Sequence, residues 1–166
     1  MLKLEKKLNI QFDIVVMIQG DEPMISPKMI DDSITPFYKE KNINVVNLFG
    51  KIKDKKELYD SSCIKVVMDK NNNAIYFSRE PIPSASKYSK KIDFYKQVCV
   101  IPFERNFLIK YNQLKETKLE KIESIDMLRV IENNYKVKMI KTNIYTHAVD
   151  TPHDLKLVSK LMRNKN

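Results

Sequence analysis

The chain has 166 residues, 43% of them hydrophobic, and a formal net charge of +9. That length and composition suit a single domain, spanning 1–166, with a sizeable core. No apolar run approaches the roughly 20 residues of a membrane span. The charged N-terminus, MLKLEKKLNIQF, lacks a signal-type apolar core, so a soluble, cytoplasmic protein with no membrane partner is expected.

FDIVVMIQ, residues 12–19, reads as a buried parallel strand: continuously apolar, rich in β-branched residues and ended by Gly20. Ser26 is a suitable N-cap with Pro27 at the first helical position, and Met29, Ile30, Ser33, Ile34 and Phe37 recur at helical spacing. Pro36 is expected to kink or end that helix. INVVNLFGKI, from Ile43, is a second strand and KKELYDSS a polar connection. CIKVVMD (63–69), the turn NNN (71–73) and AIYFSRE (74–80) form a hairpin.

PIPSASKYSKK, 81–91, is expected to be an exposed loop. FYKQVCVIPF, 94–103, follows as a strand stopped at Pro102, and ERNFLIKYNQL as a short helix. LEKIESIDMLRVIENN, 119–134, carries a near-helical apolar stripe, and YKVKMIKTNI is a last strand. VDTPHDL then opens a helix with Thr151 as N-cap, Pro152 at its first position and Asp154 near the positive end of its dipole. Strands alternating with helices give an α/β sandwich, which the hairpin makes mixed rather than purely parallel.

Cys63 and Cys99 lie in apolar runs without metal or redox spacing and read as buried free thiols. The lysines are interleaved with acids (KIKDKKELYD, KETKLEKIES), the pattern of a solvated surface. No nucleic-acid-binding module accompanies them, so nucleic acid is kept only as a rival partner.

In an open α/β sheet, ligands bind beyond the carboxyl ends of the strands. Gln19-Gly20-Asp21-Glu22 stands at such an end. Gly20 permits a sharp turn or a close approach, and Asp21 projects past it. Asp150 repeats the pattern: it follows an apolar pair and precedes a Pro-started helix. Each aspartate alone reads as a turn or cap residue. Together, at two strand ends, they suggest a shared Mg²⁺ that also touches phosphate oxygens.

IQGDEPMISPKMI, SSCIKVVMDKNNNAIYFSREPIP, LEKIESIDMLRVIENNYKVKMI and VDTPHDL, in that order and across nearly the whole chain, closely resemble the cytidylyltransferases of the 3-deoxy-manno-octulosonate (Kdo) type. The resemblance implies a Rossmann-like α/β nucleotidyltransferase fold: a three-layer sandwich with a mixed sheet and a hairpin region, Tyr76–Val100, through which members dimerise. It implies transfer of CMP from CTP to a 3-deoxy-ulosonic sugar acid, releasing pyrophosphate, for bacterial surface glycans such as lipopolysaccharide or capsule. By similarity Asp21 and Asp150 are catalytic residues and the Mg²⁺ ligands, and Gln19 lies beside sugar and ribose. Arg79 would pair with the sugar carboxylate. Glu123 and Arg129, on the helix lining the sugar pocket, are read first as an ion pair at helical spacing.

The chain departs from the family in two places. Where members read H-x-G-I-Y, it reads Gln97-Val98-Cys99-Val100-Ile101; where members read L-E-Q-L-R, it reads Ile125-Asp126-Met127-Leu128-Arg129. Gln97 and Asp126 thus stand at sugar-binding positions with altered chemistry, and the expected sugar is a variant of Kdo, such as an amino-substituted one. Nor is there a basic loop of the kind A-R-x-x-S-x-R-x-P-G-K-P-L, which in members cradles the triphosphate. The chain therefore resembles the C-terminal two-thirds of the pattern, with the N-terminal strands missing. Little activity is expected from it alone, and a separate N-terminal chain is a candidate partner. Two rivals stand beside this reading. One is a non-catalytic remnant that keeps a dimerisation surface, and the other a basic nucleic-acid-binding module.

Overall fold

The computed structural model describes residues 1–163. Its organising element is β2 (Val45–Lys51), whose first six residues are all buried. One edge of β2 pairs in parallel with β7 (Val137–Lys141), Val45 opposite Val137. The other edge is lined antiparallel by two consecutive strands, β5 (Tyr95–Val98) and β6 (Val100–Glu104). β6 carries β1 (Ile14–Ile18) on its far side, and β5 carries the hairpin of β3 (Lys65–Met68) and β4 (Ala74–Ser78). The result is a mixed seven-stranded sheet ordered β1-β6-β2-β5-β3-β4, with β7 on β2.

Helices cover both faces, giving three layers. Val45 and Phe49 of β2 face one core with Ile101, Phe103, Val137 and Met139. Closing that core are α4 (Arg105–Tyr111), α5 (Lys118–Glu123) and α6 (Met127–Glu132). Leu48 faces the opposite core with Val98 and Val100, beneath Met29 of α2 (Pro27–Lys39). The period-2 alternation along β2 divides its side chains between the two layers.

Several expectations are corrected. β1 pairs antiparallel with β6 and is half-buried, not a buried parallel strand. Residues 94–103 are two strands with a bend at Cys99, and Pro102 lies inside β6, opposite Val16, instead of ending it. Pro36 does not end α2: in the last turn it removes one amide only, and the Glu40 N–H still donates to the Pro36 carbonyl at 2.9 Å. The connection around KKELY contains α3 (Lys55–Tyr59). Asp54 caps it by accepting from the Glu57 N–H, and Glu57 accepts in return from the Lys53 N–H at 3.0 Å.

Residues 119–134 are likewise two helices, α5 and α6, because Ser124 adopts a left-handed φ of 53°. With the helix broken, Arg129 does not pair with Glu123. Its Nε donates to Glu120 at 2.8 and 3.1 Å, Nη2 also bonds Glu120, and the guanidinium lies 4.7 Å above the Tyr111 ring. Glu120 is buried and also accepts from the Thr117 N–H at 3.1 Å.

A first helix, α1 (Leu2–Leu8), turns its only buried side chain, Glu5, onto Arg105, at 2.7 and 2.8 Å; Leu2, Leu4 and Leu8 are exposed. No helix among the described residues is long and apolar enough to cross a membrane.

The Glu120–Arg129 pair fixes the α5–α6 corner. Glu120→Gln would leave the half-buried Arg129 guanidinium without its counter-charge, and is expected to cost about 3 kcal/mol of stability. A fall in the urea unfolding midpoint reads this directly.

Candidate active site

The carboxyl end of β1, the bend at Cys99, the end of β4, the α5–α6 break, α3 and the loop before α7 (Pro152–Arg163) surround one cleft of about 950 Å³. Gln19, Asp21, Arg79, Gln97, Asp126 and Asp150, all six residues singled out from the sequence, line it. Asp21 and Asp150 come from opposite ends of the chain. Their loops are joined where the Val149 N–H donates to the Asp21 carbonyl at 2.8 Å. Both side chains are exposed to the cleft. Among the described residues no group of three or more His, Cys, Asp or Glu is arranged to hold a metal ion. Asp21 and Asp150 are thus two exposed carboxylates on adjoining loops of one cleft.

Arg79 is held more tightly than its strand position implied. Nε donates to the Glu123 carbonyl at 2.5 Å, Nη1 to that of Ser61 at 2.8 Å and Nη2 to that of Ser124 at 3.0 Å. Three of its five N–H groups are used, leaving one on each terminal nitrogen. Glu123 supports the same corner: its carboxylate accepts from the Arg79 N–H, the Ser78 hydroxyl and the Tyr76 hydroxyl, at 2.9 to 3.2 Å. Beneath them lies Lys65, 0% exposed, whose Nζ donates to the Asp60 carbonyl at 2.8 Å. Burial lowers its pKa.

Gln97 is buried at the cleft floor, its Nε2 donating to Asn47 Oδ1. Asp126 begins α6, and burial raises its carboxyl pKa. The loop before α7 is braced by Asp154, which accepts from the Thr151 N–H and hydroxyl and meets His147 Nε2 at 2.8 Å. The Thr151 and His147 hydrogen bonds bring the Asp154 carboxyl down to about 2. His147 thus helps to fix the start of α7.

Three residues of the site carried no role in that reading. Glu22 is half-buried, Oε2 has no hydrogen-bond partner, and burial raises its pKa. Lys96 reaches from β5 to Glu57 and to the Thr146 carbonyl at 3.0 Å, tying α3 to the loop before α7. Asn47 interrupts the apolar run VVNLF; that single polar residue in a buried strand was the available signal. The cleft is acidic although the chain is basic: ten Asp and Glu line it against four Lys and Arg.

Both cysteines line the cleft and are half-buried rather than buried. Burial pushes the Cys63 thiol up to about 11. It pushes Cys99 up to about 12, helped by Glu22, Asp126, Asp21 and Asp150. At pH 8 the thiolate needed for alkylation is scarce in the fold and returns on unfolding. Iodoacetamide labelling at pH 8, followed by mass spectrometry, is expected to be about a hundredfold slower for the folded chain than in urea.

Comparison with known proteins follows the same geometry. The family model described as cytidylyltransferase matches residues 1–142. A 3-deoxy-manno-octulosonate cytidylyltransferase of Fusobacterium nucleatum is 38% identical over 156 residues, 94% of this chain and 63% of that protein. One from Solibacter usitatus is 38% identical over 91% of this chain and 60% of its own length. The chain thus spans about three-fifths of the length of these curated relatives. A solved CMP:2-keto-3-deoxy-manno-octonic acid synthetase, complexed with CTP, superimposes with a TM-score of 0.86 at 30% identity, covering 99% of this chain and 67% of that one. An inositol-1-phosphate CTP transferase from T. maritima shares the fold alone, with a TM-score of 0.59 at 16% identity. The matched family model, the identities and the superposition agree with the nucleotidyltransferase sandwich built here, and the chain belongs to the cytidylyltransferase family.

Proposed function

We propose that this chain provides the sugar-acid and metal side of a site that transfers CMP from CTP to a 3-deoxy-ulosonic acid, Kdo or a variant of it. The observation that carries this is the convergence of Asp21 and Asp150 in one cleft with Arg79. It is supported by the activity for which the Fusobacterium and Solibacter relatives are named and by the CTP bound in the similar synthetase. In the reaction, the anomeric hydroxyl oxygen of the sugar attacks the α-phosphorus. The bond from that phosphorus to the bridging oxygen breaks, pyrophosphate leaves with that oxygen, and the hydroxyl proton passes to solvent.

The acidic lining explains why a cation belongs here, since a triphosphate entering this cleft alone meets excess negative charge. Mg²⁺, held by Asp21 and Asp150, would neutralise phosphate oxygens as charge shifts to the leaving group. The partnerless Glu22 oxygen beside Asp21 and Asp150 fits the same need for positive charge. Arg79 offers its two remaining N–H groups to the sugar carboxylate, a planar donor pair against a planar acceptor. Its backbone contacts hold it in place before the substrate arrives, which is the positioning that phosphoryl-type transfer depends on.

Self-association through the hairpin region belongs to the same reading. β4 ends the described sheet with one edge unpaired, and Ile75 there is 55% exposed. Ile75→Lys is expected to convert a dimer to a monomer in light scattering after size exclusion.

The test of the activity is pyrophosphate release from CTP, Mg²⁺ and a panel of 3-deoxy-ulosonic acids, with this chain alone and with the N-terminal segment of a relative added. Release with at least one sugar acid is expected on complementation. Asp21→Asn or Asp150→Asn should lower it about a hundredfold or more. No release in either arrangement, or indifference to both substitutions, overturns the proposal and favours a remnant that keeps only an interface.

A further inference from the structure

Gln97 lines the cleft, and the pattern of hydrogen bonds behind it fixes the orientation of its amide. Asn47 is 0% exposed, and its Nδ2 donates to two backbone carbonyls, Leu48 at 3.0 Å and Val98 at 2.8 Å. Both N–H groups of that amide are therefore used, and its Oδ1 can only accept. Gln97 Nε2 fills that need at 2.5 Å. Flipping the Gln97 amide would set two carbonyl oxygens against each other in a buried place and leave Asn47 Oδ1 without its donor. The Gln97 backbone is fixed as well, its N–H donating to the Ile64 carbonyl at 2.8 Å.

We propose that Gln97 is a specificity-determining residue that presents its carbonyl Oε1 to the substrate as a hydrogen-bond acceptor, and that Asn47 is the positioning residue that locks it so. The inference rests on the cytidylyltransferase reading above and narrows its substrate: the sugar acid carries a hydrogen-bond donor, a hydroxyl or an ammonium group, where it meets Gln97. A buried acceptor left without a donor rejects analogues more strongly than a missing apolar contact does. An ether or a bare carbon at that position is therefore excluded, and an amine in place of a hydroxyl is accepted.

Two measurements test this. The first needs no ligand: NMR of the side-chain amides in the free protein. One Gln97 Nε2 proton is expected to exchange with water slowly, and Asn47→Leu should abolish that protection. A Gln97 amide exchanging like a solvent-exposed one overturns the lock. The second is calorimetric titration of the chain with Kdo and analogues in which each hydroxyl in turn is replaced by hydrogen, O-methyl or an amine. At one position hydroxyl and amine should bind alike, while the deoxy and O-methyl forms lose tenfold or more. In Gln97→Leu, and in Asn47→Leu where it folds, that discrimination should fall below threefold. A profile tolerant of O-methyl at every position, or unchanged by Gln97→Leu, overturns the acceptor role. Failure of every sugar acid to bind overturns the parent function and the substrate claim with it, while the exchange measurement still decides whether the amide is locked.

Discussion

β2 meets β5 and β6 along one edge, but the two registers do not agree. Between the pairs Val45–Phe103 and Leu48–Val98, two residues of β2 lie opposite four of the neighbouring chain, Cys99 to Pro102. A misfit of this size inside a sheet leaves backbone groups without ladder partners. A side chain meets one of them: Asn47 Nδ2 donates to the Val98 carbonyl at 2.8 Å. The bend lets one length of chain serve two neighbours: β5 continues to the hairpin, and β6 crosses to β1. The loop after β1, with Asp21 and Glu22, lines the same cleft as the bend at Cys99.

The charge of the molecule is divided accordingly. A net charge of +9 would place an anion almost anywhere on its surface, yet the charged residues lining the cleft are mostly carboxylates. Their mutual field is felt by the Cys99 thiol, which burial and four acids push in one direction. Lys96 and Arg79 sit in this setting but are engaged elsewhere, one by Glu57 and Thr146, the other by main-chain carbonyls. In the cleft, carboxylates therefore outnumber cations, and two of those cations already hold hydrogen bonds within the chain.

What could be read in advance follows from how local each signal is. The two aspartates were legible because each is flanked by its own punctuation: an apolar run before it, and a proline opening a helix soon after. The hairpin 63–80 was legible for the same reason, with three asparagines between two apolar runs. The division of 94–103 was not, since β5 and β6 together read as one apolar strand, and the bend follows from what β1 and β3 require of it. Residues 119–134 kept an apolar stripe through a left-handed Ser124, so nothing in the spacing revealed that Arg129 would face Glu120 instead of Glu123. α3 escaped notice as a polar stretch, although Asp54 followed by Glu57 three residues on is a capping pattern. Gln97 and Asp126 were found only through family resemblance, and their partners Asn47 and Tyr111, distant in sequence, only through the fold.

Arg79 binds three oxygens that belong to the main chain of Ser61, Glu123 and Ser124. Every amino acid carries such an oxygen. The clamp therefore places demands on one codon rather than four: the sequences of the 60–62 turn and of the α5–α6 corner are free to drift, provided their backbone paths persist, without loosening the guanidinium. A lineage can in this way remodel the rim around Arg79 while the guanidinium stays where it was.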